Sequence, residues 1–224
     1  MGAGLLACSS VNTISVHSGS IIVSNVTNGS TGVDTIIKPY RDSLDDEMKA
    51  VIAISKHDFV KDRPNSPLNN WCADALLNCN EIQLDSVYPT IALLNVGGIR
   101  STINKGEVTL GDLFKLMPFD NEVVIVKMPI SSLKDIQSYI IASGGEPIAG
   151  AELIKSELVL NHKEVTECFW IITSDYLFNG GDKMNFFKSN LEVIQTGVLL
   201  RDVFISVAKS QEVFHFSSEQ RIKF

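Results

Sequence analysis

The residues Asn95-Val96-Gly97-Gly98-Ile99-Arg100 bring an amide, two glycines and a guanidinium to the end of the apolar run Ile91-Ala92-Leu93-Leu94. Adjacent glycines remove the Cβ atoms that hold a bound group away from the backbone. Asn both donates and accepts, and Arg presents a planar cationic fork suited to phosphate or carboxylate. Such a stretch is either a strand-ending turn with a surface Arg or a loop where backbone approach, polar readout and anion capture meet. Three further segments carry comparable groups. Leu116-Met117-Pro118-Phe119-Asp120-Asn121 sets an aromatic after a proline, whose fixed φ orients it. Tyr176-Leu177-Phe178-Asn179-Gly180-Gly181-Asp182 joins an aromatic, a second glycine pair and a carboxylate. Between Ser66 and Leu76, Asp74 stands among apolar neighbours, where a half-buried carboxylate needs partners.

These groups need elements to hold them. Ser66 as N-cap and Pro67 at the first helical position start a helix that runs to about Asn80. Ile36, Ile37, Tyr40, Leu44 and Met48 recur at helical spacing from about Thr31 to Val51, which predicts a helix with one face packed on the core. Strands are expected at residues 20–26, 88–95, 122–128, 152–160, 167–174 and 191–195, and further helices at 110–117, 131–143 and 199–210. This mixture predicts a layered α+β fold with a mixed β-sheet. Residues 1–19 read as a signal remnant or tether and residues 20–224 as a single domain.

Composition narrows the chemistry. At 224 residues and 45% apolar content, the chain can bury a sizeable core. A net charge of −7 gives no footprint for a nucleic-acid backbone, although a local Arg can still take a small anion. The four cysteines form no CxxC pair, and His17, His57, His162 and His215 are scattered, so no metal-ligand spacing appears. No apolar run is long enough to span a membrane. Leu5-Leu6-Ala7-Cys8 looks like the end of a bacterial lipoprotein signal with Cys8 as the lipidated residue, although no basic residue precedes it.

The motifs, in this order, resemble the C-terminal, substrate-binding domain of the 5'-nucleotidase family, which includes periplasmic UDP-sugar hydrolases and ecto-nucleotidases. The likeness runs from about Ile36 to Arg221-Ile222. It takes in Asn95 to Arg100 for N-G-G-G-I-R, with Val96 in place of the first glycine, and Met117 to Asp120 for L-P-F-[GD]. Tyr176 to Asp182 is similar to the aromatic-x-x-x-G-G-D loop, Gly144 to Gly150 to a G-G-x-x-x-x-G turn, and Gly197 to Asp202 to the opening of the last helix. The resemblance implies a nucleotide pocket in which Phe119 and Tyr176 sandwich the base. Asp182 would accept from the ribose hydroxyls, Asn95 contact the base and Arg100 the phosphate, with Gly97, Gly98, Gly180 and Gly181 allowing close approach. Arg63 is the nearest match to the family's additional, upstream phosphate-binding arginine.

In family members, hydrolysis takes place in an N-terminal metallophosphatase domain marked by D-x-H, G-N-H-[DE] and G-H-x-H motifs, none of which occurs in these 224 residues. Two-metal hydrolysis needs several ligands to clamp the ions. The resemblance therefore implies a substrate-binding half with no catalytic or metal-ligating residue and no cofactor of its own. It would be inactive alone and work with a separate metallophosphatase chain carrying the divalent metals, as a split 5'-nucleotidase in nucleotide catabolism. A nucleotide-capturing surface lipoprotein and a degenerate interaction domain are the alternatives. Export to the periplasm or cell surface of a bacterium, as a lipoprotein, is expected.

Overall fold

The computed structural model describes residues 19, 31–82, 84, 87–161 and 167–224. Cys8 and the strand expected over residues 20–26 lie outside them. The chain divides into two compact units, Met1–Asp42 and Ser43–Phe224. In the first, the described residues open helix α1 (Thr31–Met48), where Lys38 pairs with Asp42 at 2.6 Å one turn later.

The second unit is organised by a mixed sheet whose strands are β2 (Thr90–Leu93), β4 (Glu122–Pro129), β5 (Ile148–Ala149), β8 (Cys168–Ser174) and β9 (Glu192–Leu199), in the order β5-β2-β8-β4-β9. β2 and β8 are parallel, and the other pairs are antiparallel. Side chains alternate along a strand, so each strand feeds both faces. Ile91, Leu93, Val124, Val126, Phe169 and Ile171 enter one apolar layer, which is completed by Ile136 and Ile140 of helix α4 (Leu133–Ser143). Ala92, Leu94, Val123, Ile125, Trp170 and Ile172 enter the other, against helices α2 (Pro67–Leu77), α3 (Leu110–Leu116) and α6 (Leu200–Gln211). Every residue of β8 is buried, as a central strand covered on both faces must be.

Local chemistry sets the helix starts. Ser66 Oγ accepts from the Asn69 amide at 3.1 Å, with Pro67 at the first helical position, a cap of the kind worth about 1 kcal/mol. Thr109 and Asp112 form a capping box at the start of α3. The partner that Asp74 requires is Arg221, 8% exposed, whose Nη2 reaches Asp74 Oδ2 at 2.8 Å while Nη1 donates to the Ile148 carbonyl at 2.9 Å.

Three expectations are corrected. Residues 152–160 are not one strand but a hairpin of β6 (Ala151–Ile154) and β7 (Glu157–Leu160), turned by Lys155 and Ser156 at φ 49° and 63°. The strand expected to end at Gln195 continues through Gly197 at φ 70° to Leu199. Val51, expected to close the first helix, instead opens β1 (Val51–Ser55), which pairs antiparallel with β3 (Gly106–Thr109).

Candidate functional site

Parallel pairing puts the carboxyl ends of β2 and β8 side by side. The antiparallel register Val123↔Ser174 brings the start of β4 to the same rim. The glycine turn after β2, the Pro-Phe step before β4 and the aromatic loop after β8 therefore meet, as ligand-binding loops do at the carboxyl ends of strands in open α/β sheets. Asn95, Gly97, Gly98, Arg100, Phe119, Tyr176 and Asp182 line one cleft of about 330 Å³, with Asn121 beside them. That volume lies at the lower end of the range of about 300–1,000 Å³ typical of small-molecule sites. A roomier depression of about 460 Å³ between α2 and α6, lined by Asp74, Asn78, Glu81, Ser206, Gln211 and His215 among others, contains none of the expected residues.

The Asp182 carboxylate is the hub of the cleft. Asn95 Nδ2 donates to one oxygen at 2.5 Å and the Tyr176 hydroxyl to the other at 2.9 Å. A carboxylate offers about four lone-pair sites, so two remain for further donors. Its backbone is held in the left-handed region, φ 48°, with the Tyr139 hydroxyl donating to the Asp182 carbonyl at 3.1 Å. The bond to Asp182 raises the Tyr176 hydroxyl above the usual phenol range. Burial, assisted by the charges of Glu146 and Asp182, pushes Tyr139 up to about 12.

The glycines make room for side chains of the site itself. A Cβ on Gly98 would stand 2.6 Å from Asn95 Oδ1, and one on Gly181 only 2.5 Å from the Tyr176 ring. Gly180, at φ 90°, takes a conformation open mainly to glycine. Val96, where the family pattern has glycine, opens a 3-10 turn without a positive φ and is not among the cleft-lining residues. Phe119 and Tyr176 remain 43% and 46% exposed, and the Arg100 guanidinium lies over the Phe119 ring, 5.9 Å from its centre. The Phe119 loop is anchored from α6, where Arg201 Nη2 bonds Asp120 at 2.6 Å and the Leu200 amide bonds the Asn121 carbonyl at 2.9 Å.

Gly180, Gly181 and Arg63 do not line the cleft. Arg63 donates through Nη1 to the carbonyls of Ser143 and Gly145, and through Nη2 to Glu146 Oε1 at 2.9 Å. Glu146 is 2% exposed, and its other oxygen accepts from the Val96 amide at 2.8 Å. Burial raises its carboxyl above the usual range, against the bonds from Val96 and Arg63 that favour the charged form. Sequence reasoning missed Asn121, Tyr139 and Glu146. The only cue was Glu146 itself, a carboxylate between a glycine pair and a proline just before an apolar strand. Among the described residues, no group of three or more His, Cys, Asp or Glu is arranged to hold a metal ion.

The family model for the 5'-nucleotidase C-terminal domain matches residues 50–136, which span the glycine turn and the Phe119 loop. The chain carries a 5'-nucleotidase C-terminal domain. It is 24% identical to the human 5'-nucleotidase over 189 residues, covering 70% of this chain and 33% of that protein. It is 23% identical to an apyrase of Tabanus yao over 163 residues, covering 60% and 29%. The chain thus spans about a third of the length of these relatives. The fold of this C-terminal domain recurs in a 5'-nucleotidase precursor from Thermus thermophilus, with TM-score 0.66 at 22% identity over 86% of this chain and 43% of that one. It recurs also in the NAD nucleotidase of Haemophilus influenzae, with TM-score 0.65 at 18% identity over 87% and 41%.

Proposed function

We propose that the cleft binds the nucleoside end of a nucleotide and that the domain serves as the substrate-binding half of a split 5'-nucleotidase, the dimetal hydrolytic site being on a separate metallophosphatase chain. The observation that carries this reading is the convergence of two half-exposed aromatic rings, a carboxylate with spare acceptor sites, an amide and a guanidinium at one rim of the sheet. A base between Phe119 and Tyr176 gains about 1–3 kcal/mol per stack. Two ribose hydroxyls fit the remaining lone pairs of Asp182, and Arg100 supplies charge for a phosphate. None of the metal-binding motifs of the family's hydrolytic domain occurs within these 224 residues, which supports giving this domain the binding step and not the bond cleavage. The Leu-Leu-Ala-Cys start supports attachment of the protein to a bacterial membrane surface through a lipid on Cys8, which labelling with radioactive palmitate would reveal.

Titration calorimetry with AMP tests the binding step. A dissociation constant of roughly micromolar to millimolar is expected, once association costs offset the stacking. The Phe119→Ala variant should weaken it roughly tenfold or more. Unchanged affinity in that variant would show that the base lies elsewhere. The domain alone should release no phosphate from AMP with Mg²⁺, Mn²⁺ or Co²⁺, and should do so once a metallophosphatase chain is added. Full metal-dependent turnover by the pure domain would overturn the division of labour.

A further inference from the structure

The ion pair between Arg63 and Glu146 joins three segments far apart in sequence. The Arg63 guanidinium spends donors on the Ser143 and Gly145 carbonyls at the end of α4 and on Glu146 Oε1. Gly145 packs so closely that a Cβ there would lie 2.7 Å from Pro64 Cα, which keeps the backbone next to Arg63 against the same turn. From the buried side, Glu146 Oε2 holds the Val96 amide, the first N–H of the glycine turn. The Asn95 carbonyl accepts from Gly98 within that turn, and the Asn95 side chain reaches Asp182. A continuous chain of bonds therefore runs from Arg63 through Glu146 and the turn to the carboxylate at the centre of the cleft.

We propose that Arg63 and Glu146 form a positioning pair that fixes the Asn95–Gly98 turn, and that Arg63 is not a phosphate ligand. Glu146 supplies the acceptor. Arg63 compensates its buried charge, which would otherwise stand against apolar surroundings at a high desolvation cost. Placement of Asn95, and through it Asp182, then depends on an ion pair outside the cleft. The inference rests on the nucleotide-binding reading above and extends it to residues that touch no part of the ligand.

The test is calorimetry of the whole chain with adenosine, which has no phosphate, and with AMP. If the native chain binds neither, the nucleotide reading fails before the inference is reached. Given binding, Arg63→Gln should weaken adenosine and AMP by the same factor, about tenfold, at unchanged stoichiometry, as small displacements of a binding group do. Arg100→Gln should weaken AMP and spare adenosine. Glu146→Gln keeps an acceptor for Val96 and should retain more affinity than Glu146→Ala. The double variant Arg63→Gln/Glu146→Gln should be no weaker than the poorer single, since the two act as one unit. Amide exchange at Val96 should quicken in Glu146→Ala while amides of β8 keep their protection, which separates loss of position from loss of fold. Loss of AMP affinity alone in Arg63→Gln, additive singles, or unchanged adenosine binding in Glu146→Ala would each overturn the proposal.

Discussion

The two glycine pairs beside the cleft look interchangeable in sequence and differ in their physics. Gly97 and Gly98 follow a strand with no positive φ, and what Gly98 provides is space, because the Asn95 amide occupies the volume of its missing Cβ. At Gly180-Gly181 the roles split. Gly180 supplies a left-handed backbone at φ 90°, whereas Gly181 leaves room for the Tyr176 ring. The first turn is an ordinary backbone filled by its own side chain. The second is an unusual backbone, continued by Asp182 and Lys183 at φ 48° and 66°, that aims a carboxylate. A glycine-rich motif can therefore encode clearance, conformation or both, and only the substituted variants tell them apart.

Gly181→Ala sharpens the contrast most. Its methyl would enter the Tyr176 ring, so one stack is lost and AMP affinity should fall by about 1–3 kcal/mol, roughly fivefold to 150-fold, in calorimetry. Gly98→Ala should displace the Asn95 amide from Asp182, which removes a hydrogen bond to a charged group, and weaken AMP by about 1.5–3 kcal/mol with little change in melting temperature. If it melts early and binds normally, clearance is the wrong account of the first turn. Gly180→Ala should show the reverse pattern, losing about 1–2 kcal/mol of stability to left-handed strain. Gly180→Asn should recover much of this loss, since Asn tolerates that region. Equal destabilisation by both would remove conformation as the reason for that glycine.

The smallest effect is in pH. Tyr139, which holds the Asp182 carbonyl, keeps its proton in the folded state up to about 12. An unfolded tyrosine ionises near 10, so between these values the folded chain binds more protons and stability falls as pH rises. Tyr139→Phe should flatten that part of a melting-temperature profile. An unchanged slope would place its origin elsewhere.

Much of the cleft was legible because each motif is local and sits at a strand end. Asn95, Arg100, Phe119, Tyr176 and Asp182 need only the parallel pairing of β2 with β8 and the antiparallel return of β4 to meet. Glu146 was hidden because its partners, Arg63 and Val96, lie 83 and 50 residues away. The hairpin of β6 and β7 was read as one strand because its turn, Lys155-Ser156, contains neither glycine nor proline. β9 runs past the expected end at Gln195 because its pairing with β4 resumes beyond Gly197, at Leu199 opposite Glu122. Long-range pairing decides such cases, and one-dimensional patterns carry little of it.

The alternation that sends Trp170 into the same apolar layer as Trp71 has a practical consequence for spectroscopy. These are the only two tryptophans of the chain, neither lines the cleft, and both are at most 5% exposed. Trp170 lies four residues before Ser174, about 13 Å along β8 from the rim. Indole emission is therefore a reporter of the packed layer, while ligand entry would register in the ultraviolet signals of Phe119 and Tyr176, so the two events can be followed separately in one cuvette.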